Sequence, residues 1–186
     1  MELKIILTGL GGQGVVFMTR LLANTALAQG HPVLVSETHG MSQRGGSVVS
    51  HLKIAGNLAP LIQPGSADLM LALDPDEAVR NMTLVRPEGT VFVNTEQQLH
   101  PQVAGHLDRL KIRLLAIPAS RLALDLGNAA VANVVLAGFS AAHPALGLTM
   151  ESMRKTLQKT AKRGLEINMK ALDSGFIYAQ THAVLT

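Results

Sequence analysis

Short apolar runs, each closed by glycine or proline, alternate with helix-spaced apolar positions along the first 118 residues. Leu3 to Leu10 (LKIILTGL) is such a run, with two adjacent isoleucines and a terminal glycine loop, and predicts a strand buried on both faces. Val15, Met18, Leu22 and Ala26 then recur at helical spacing, predicting a helix from Gln13 to about Gln29 with Gly30 just past its end. His31-Pro32 opens a second strand, Val33 to Glu37. The order strand, glycine loop, helix, strand is the first half of a Rossmann-like fold.

The next strand breaks that pattern. Ser47 to Ile54 (SVVSHLKI) alternates, which predicts a half-exposed strand, and only nine residues separate it from the second. A parallel crossover needs a dozen or more, so this strand is expected to run antiparallel. Asp68 to Leu73 reads as another buried strand. Asp74-Pro75-Asp76-Glu77 is a helix start, with a capping carboxylate, proline at the first helical position and acids at the positive dipole end. That helix is expected to reach about Leu84. A turn at Pro87-Glu88-Gly89 leads into a strand from Thr90 to Asn94, and a polar connection through His100 and His106 into one from Ile112 to Ile117. The remainder predicts helices over Ser120 to Leu126, Asn128 to Ala142, Met150 to Arg163 and Leu165 to about Thr181, punctuated by Gly127, Pro144 and Gly164. No internal repeat or linker divides the chain. The expected architecture is a single α/β domain over 1–186, a Rossmann-like three-layer sandwich with a mixed, mostly parallel sheet in 1–118 and a mostly helical segment in 119–186.

Composition narrows the chemistry. The chain of 186 residues has no cysteine, which excludes a disulfide scaffold, a thiol nucleophile and an iron–sulfur cluster held by its own thiolates. The net charge of +3 lies wholly in residues 150–186, because residues 1–149 carry ten basic and ten acidic side chains. With four Phe, one Tyr and no Trp there are few stacking platforms, and a nucleic-acid partner is not expected. The basic face of Arg154, Lys155, Lys159, Lys162 and Arg163 reads first as a solvated surface. The uncharged stretch from Leu126 to Met150 contains Asn128, Asn133, Ser140, His143 and Pro144, which breaks the roughly 20 apolar residues a membrane span needs. No signal peptide is visible, so a cytoplasmic location and no membrane are expected. The seven histidines show no metal-ligand spacing. No G-x-S-x-G elbow occurs.

Two segments carry candidate binding chemistry. Gly9, Gly11 and Gly14, with Gly12 and Gln13 between them, satisfy G-x-G-x-x-G in the right place, after a buried strand and before a helix. Glycines there allow close approach of a phosphate to free N–H groups at the helix start, or simply a tight turn with no ligand. Glu37 follows 23 residues after Gly14, where dinucleotide enzymes place an acid against the ribose; a loop carboxylate pairing with Arg44 reads equally well. Between the second and third strands lie Thr38, His39, Gly40, Met41, Ser42, Gln43, Arg44, Gly45 and Gly46. This is long for a plain hairpin, and Arg44 could clamp a diphosphate or carboxylate there. Asn133, among Ala and Val in a helix, reads as a buried amide bonded to a loop.

Gly11-Gly12-Gln13-Gly14-Val15 together with Glu37-Thr38-His39-Gly40-Met41-Ser42-Gln43-Arg44-Gly45-Gly46 resembles the gamma subunit or domain of 2-oxoacid:ferredoxin oxidoreductases. Pro60 to Ile62, Ala67-Asp68, Asp74-Pro75, Glu77-Ala78, Arg80, Gly127-Asn128, Asn133 and the segment from Asn168 to Gly175 also fit, so the resemblance covers about Leu3 to Tyr178. Within that family the Glu37 to Gly46 stretch is most similar to the small subunit of indolepyruvate oxidoreductases, since the pyruvate and 2-oxoglutarate branches usually carry a Gly-Pro-Glu-type sequence before Arg-Gly.

The resemblance implies one subunit of an enzyme that decarboxylates a 2-oxo acid on thiamine diphosphate, passes electrons through 4Fe-4S clusters to ferredoxin and forms acyl-CoA. Lacking cysteines and a Gly-Asp-Gly segment, this chain is expected to bind no cofactor alone and to have no catalytic or metal-ligating residue of its own; thiamine diphosphate, Mg and the clusters would sit in a large partner subunit. Its glycine loop and Arg44 match positions expected to help receive coenzyme A. An exposed docking face would invite homodimer formation when the chain is isolated. The alternative is a free-standing NAD(P)- or nucleotide-binding protein, weakened by the missing parallel crossover after Glu37.

Overall fold

A computed structural model describes residues 2–39, 46–56, 59–97, 101–161 and 164–182, without the side chains of His39 and Pro101. Six strands form one sheet in the order β2-β3-β1-β4-β5-β6: β1 (Leu3–Leu10), β2 (Val33–His39), β3 (Ser47–Ile54), β4 (Ala67–Ala72), β5 (Val85–Asn94) and β6 (Arg113–Ile117). β1, β4, β5 and β6 pair in parallel, whereas β3 is antiparallel to both β1 and β2. The short β2–β3 connection leaves no room for a crossover, and β3 therefore returns between β2 and β1, as the spacing predicts.

Helices cover both faces. α1 (Val15–Ala28), α4 (Ala119–Asp125), α5 (Ala132–Ala141), α6 (Met150–Thr160) and α7 (Leu165–Thr181) pack on the face of Ile5, Leu7, Leu69, Leu71 and Phe92. α2 (Pro75–Asn81) and α3 (Pro101–Leu110) cover the face of Ile6, Met70, Val91 and Val93. This sandwiching makes β1 and β4 read as unbroken apolar runs rather than alternating ones. The Asp74 cap forms as its sequence predicts, its Oδ1 accepting the N–H groups of Asp76 and Glu77 at 3.0 and 3.1 Å.

Three expectations are corrected. β3 does not alternate between exposed and buried positions: Ser47 to Val49 are half-buried and Ser50 to Ile54 buried, as befits a strand with a neighbour on each edge. Two of its buried polar residues have partners in the loop that follows, His51 Nδ1 accepting from the Ile62 N–H at 3.1 Å and Lys53 Nζ donating to the Ala59 carbonyl, whereas the buried Ser50 hydroxyl has none. Pro87-Glu88-Gly89 does not precede a strand but lies inside β5 as an irregularity, with Glu88 at φ 63° and the register to β4 shifting between Ala67 and Leu69. A bulge is where a strand tolerates proline. The connection expected to be polar contains α3, whose Val103, Leu107 and Leu110 form a single apolar stripe. The helix expected to reach Arg163 is described to Thr160; Lys162 and Arg163 lie outside the described residues.

Candidate functional site

Where β1 ends the chain turns to α1 on one face, and where neighbouring β4 ends it turns to α2 on the other. Such a divergence opens a crevice at the carboxyl ends of the two strands, the usual ligand position of open α/β sheets. The glycine loop, residues 9–14, forms one side. Gln13 folds back so that its Oε1 accepts the Leu10 N–H at 2.7 Å, and its N–H donates to the Leu10 carbonyl at 3.1 Å. Gly12 has φ +96°, and a Cβ there would meet no atom within 4 Å, so its edge faces open space. Gly14 has φ +85° and caps α1 with no side-chain hydrogen bond. A Cβ on Gly14 would collide with the Asn133 amide, whose Nδ2 donates to the Gly14 carbonyl at 3.1 Å. Asn133 is thus the buried loop-bonding amide its surroundings predict. Gly9 is buried beneath Gln13.

The second candidate segment meets the first. Gly46 presents its carbonyl to the Gly11 N–H at 2.8 Å, and Ser47 stands opposite Leu10 in the β1–β3 register. The glycine loop and the root of the Arg-Gly-Gly segment therefore share one end of the sheet, as expected from the connection. Ser42, Gln43, Arg44 and Gly45, with Gly40 and Met41, lie outside the described residues, as does the His39 side chain. Glu37 is on β2, opposite Ser50, with β3 interposed between β2 and β1. That places it two strand spacings, about 10 Å, from the strand bearing the glycine loop. A dinucleotide fold has these strands adjacent, and the ribose-binding geometry that the spacing suggests is not formed.

Three further polar residues tie the elements around the crevice together: Glu77, already singled out by the helix start and the family resemblance, and Asn81 and Asn94, which no sequence motif includes. Glu77 is fully buried; its Oε2 accepts from the Ser47 hydroxyl at 2.5 Å and its Oε1 from Arg80 at 2.7 Å. Asn81 donates to Thr8 Oγ1 at 3.1 Å, tying α2 to β1. Asn94, at the end of β5, donates to the Leu73 carbonyl and accepts the Ser120 N–H, each at 3.0 Å. Glu77 stands in the first turn of α2, Asn81 at the last residue of that helix, and Asn94 at the carboxyl end of β5. Behind Gly14, a cavity of about 390 Å³ is lined by Phe17, Asn128, Val131, Asn133, Ile167 and Asn168. An apolar groove between α4 and α7, with Leu122, Leu126, Ile177 and Tyr178, is separate from the crevice. Among the described residues no three His, Asp or Glu side chains group closely enough to hold a metal, and no helix is long and apolar enough to cross a membrane.

The sequence model of the family described as pyruvate ferredoxin/flavodoxin oxidoreductase matches residues 4–178. The chain belongs to this family. Its fold and matched length are those of the gamma-type accessory subunit of a 2-oxoacid:ferredoxin oxidoreductase. The subunit is 33% identical to the indolepyruvate oxidoreductase subunit IorB of Archaeoglobus fulgidus, over 95% of this chain and 94% of that one. It is 32% identical to the Pyrococcus horikoshii IorB, over 94% of each. Among solved structures, the keto/oxoacid ferredoxin oxidoreductase gamma subunit of Geobacter sulfurreducens superposes with a TM-score of 0.75 at 22% identity, covering 97% of this chain and 99% of that one. The 2-oxoglutarate:ferredoxin oxidoreductase of Magnetococcus marinus, with 2-oxoglutarate, coenzyme A and succinyl-CoA bound, superposes with a TM-score of 0.79 at 19% identity. There the oxidoreductase subunit covers 98% of its own length but 32% of the other chain, so the same fold occurs as part of a longer polypeptide.

Proposed function

We propose that the chain is the small subunit of an indolepyruvate:ferredoxin oxidoreductase and that its crevice receives the phosphate groups of coenzyme A. The substrate class rests on relatives named as IorB that match at 30–33% identity across nearly their full length. The coenzyme A role rests on one observation above the others: the Gly11–Gly46 hydrogen bond, which puts the glycine loop and the base of the Arg44 segment on one side of a crevice at the sheet's carboxyl end. A loop whose Gly12 edge is open, at the start of a helix with no side-chain cap, suits a phosphate. That a distant structure of the same fold comes from an enzyme holding coenzyme A is consistent with this.

Thiamine diphosphate, Mg and the 4Fe-4S clusters belong in this reading to the large partner subunit. With no cysteine, this chain has no thiolate to give a cluster. Those groups would supply the decarboxylation and electron transfer there, while this subunit would orient the acceptor coenzyme. In the assembled enzyme, Arg44→Ala is expected to raise the apparent constant for coenzyme A by roughly 10- to 100-fold, the loss of a charge-assisted bond of about 1.5–3 kcal/mol. Gly12→Ala, whose methyl enters the open side of the loop, acts in the same direction. Reduction of a dye by oxo acid before coenzyme A is added stays near wild type. Unchanged coenzyme A kinetics in both variants would show that the loop pair is only a turn.

A further inference from the structure

Beneath the glycine loop, Glu77 and Arg80 of α2 are joined to β3 by a connection that the sequence pattern does not reveal. Glu77 is a fully buried carboxylate on α2, and its two oxygens are divided between the Ser47 hydroxyl and the Arg80 guanidinium. Ser47 directly follows Gly46, and the Gly46 carbonyl is the acceptor for the Gly11 N–H. The helix carrying Glu77 is itself fixed, by the Asp74 cap at its start and by Asn81 bonding to Thr8 and to the Glu77 carbonyl at its end. We propose that Glu77 is a positioning residue which, through Ser47, holds the Gly46 carbonyl against Gly11 and so fixes the shape of the glycine loop.

The chemistry of the side chain supports this over mere packing. Burying a carboxylate carries a desolvation cost, and an apolar residue of similar volume commonly does as well or better for stability. Leucine at 77 would leave the Ser47 hydroxyl without an acceptor and the Gly46 backbone without a side support. A carboxylate accepts at both oxygens, and so takes the hydroxyl proton on one side and a charge-assisted bond from the guanidinium on the other. Arg80 stays largely in solvent, with 68% of its side chain exposed, so the ion pair neutralises Glu77 from outside while the inner oxygen faces β3. The functional importance of the loop rests on the coenzyme A reading given above; the positioning itself does not.

The experiment uses the enzyme assembled with its large subunit and four variants, Ser47→Ala, Ser47→Thr, Glu77→Gln and the Arg44→Ala introduced above. Ser47→Ala keeps the Glu77–Arg80 pair intact and removes only the hydroxyl donor, so the buried charge retains its cation. Amide hydrogen exchange in the 9–14 segment is expected to rise about tenfold in Ser47→Ala, to rise in Glu77→Gln and to stay near wild type in Ser47→Thr, with exchange in β4 and β5 unchanged. The apparent constant for coenzyme A is expected to rise several-fold in Ser47→Ala, while that for the oxo acid does not move. Loop exchange unaltered by Ser47→Ala overturns the inference whatever the kinetics do. Faster loop exchange with coenzyme A kinetics untouched in both Ser47→Ala and Arg44→Ala sustains the positioning role and overturns the coenzyme A reading instead.

Discussion

His51 shows how much a single interior side chain depends on its protonation state. Burial, and secondarily the charge of Lys53, hold its pKa below the ordinary 6.5, and its Nδ1 serves as acceptor for the Ile62 N–H, which requires the neutral ring. His143 is shifted in the same direction, by burial and then by Arg113, and its ring meets Phe92 edge-on at 5.6 Å. A depressed pKa in the folded state means that the unfolded chain binds the proton more readily. The contribution to stability is therefore complete above about pH 6.5 and is lost as pH falls through the folded-state values. Glu151 and Glu166, lowered from 4.5 by Lys155 and Lys170, act below this window. Thermal denaturation from pH 7 to 5 is expected to show a falling midpoint, and His51→Gln with His143→Gln to flatten that slope. A wild-type midpoint that is level or rising over the same range contradicts the assignment.

At the scale of elements, the tightest contact is that between α5 and α7. A Cβ on Gly138 would run into the Leu172 carbonyl, and one on Gly175 into the Val135 carbonyl. These obstacles are backbone and cannot swing aside, so Gly175→Ala must push the helices apart. The expected cost is about 3 kcal/mol, the upper range for overpacking, or a fall in Tm of roughly 6–12 °C. Alanine also favours a helix over glycine by about 1 kcal/mol, so a rise in Tm would mean that propensity wins and that the helices are free to separate. Such pairings are hard to foresee from sequence, because a helical glycine carries no sign of which backbone it meets. Strands β1 and β4 and the capped start of α2 were legible because apolar runs and an Asp-Pro-Asp-Glu start are local signals. The burial of β3 was not, because His51 and Lys53 look solvent-facing until the loop carrying Ala59 and Ile62 supplies their partners. The same limit applied to the site. The glycine loop announces itself by its spacing, whereas Glu77 is an ordinary first-turn acid until β3 brings Ser47 to it.

For the whole molecule, the absence of cysteine from the sequence and the reading of this chain as an accessory subunit lead to one plain expectation. Purified alone and supplied with thiamine diphosphate and Mg, it should not reduce a dye with indolepyruvate, and mixing with the large subunit should restore turnover. Turnover by the single chain would place catalytic residues here that the present reading does not contain. The antiparallel insertion of β3 has a further consequence. β2 and β3 pair as consecutive antiparallel strands, with Thr38 facing Val49 and His39 facing Val48, so the two strand ends are held by the same local ladder. In such a pairing the connecting sequence can lengthen, shorten or change its side chains without shifting any strand against its neighbour. On the coenzyme A reading proposed above, a change of sequence between these two strands retunes ligand preference while the core beneath is left unaltered.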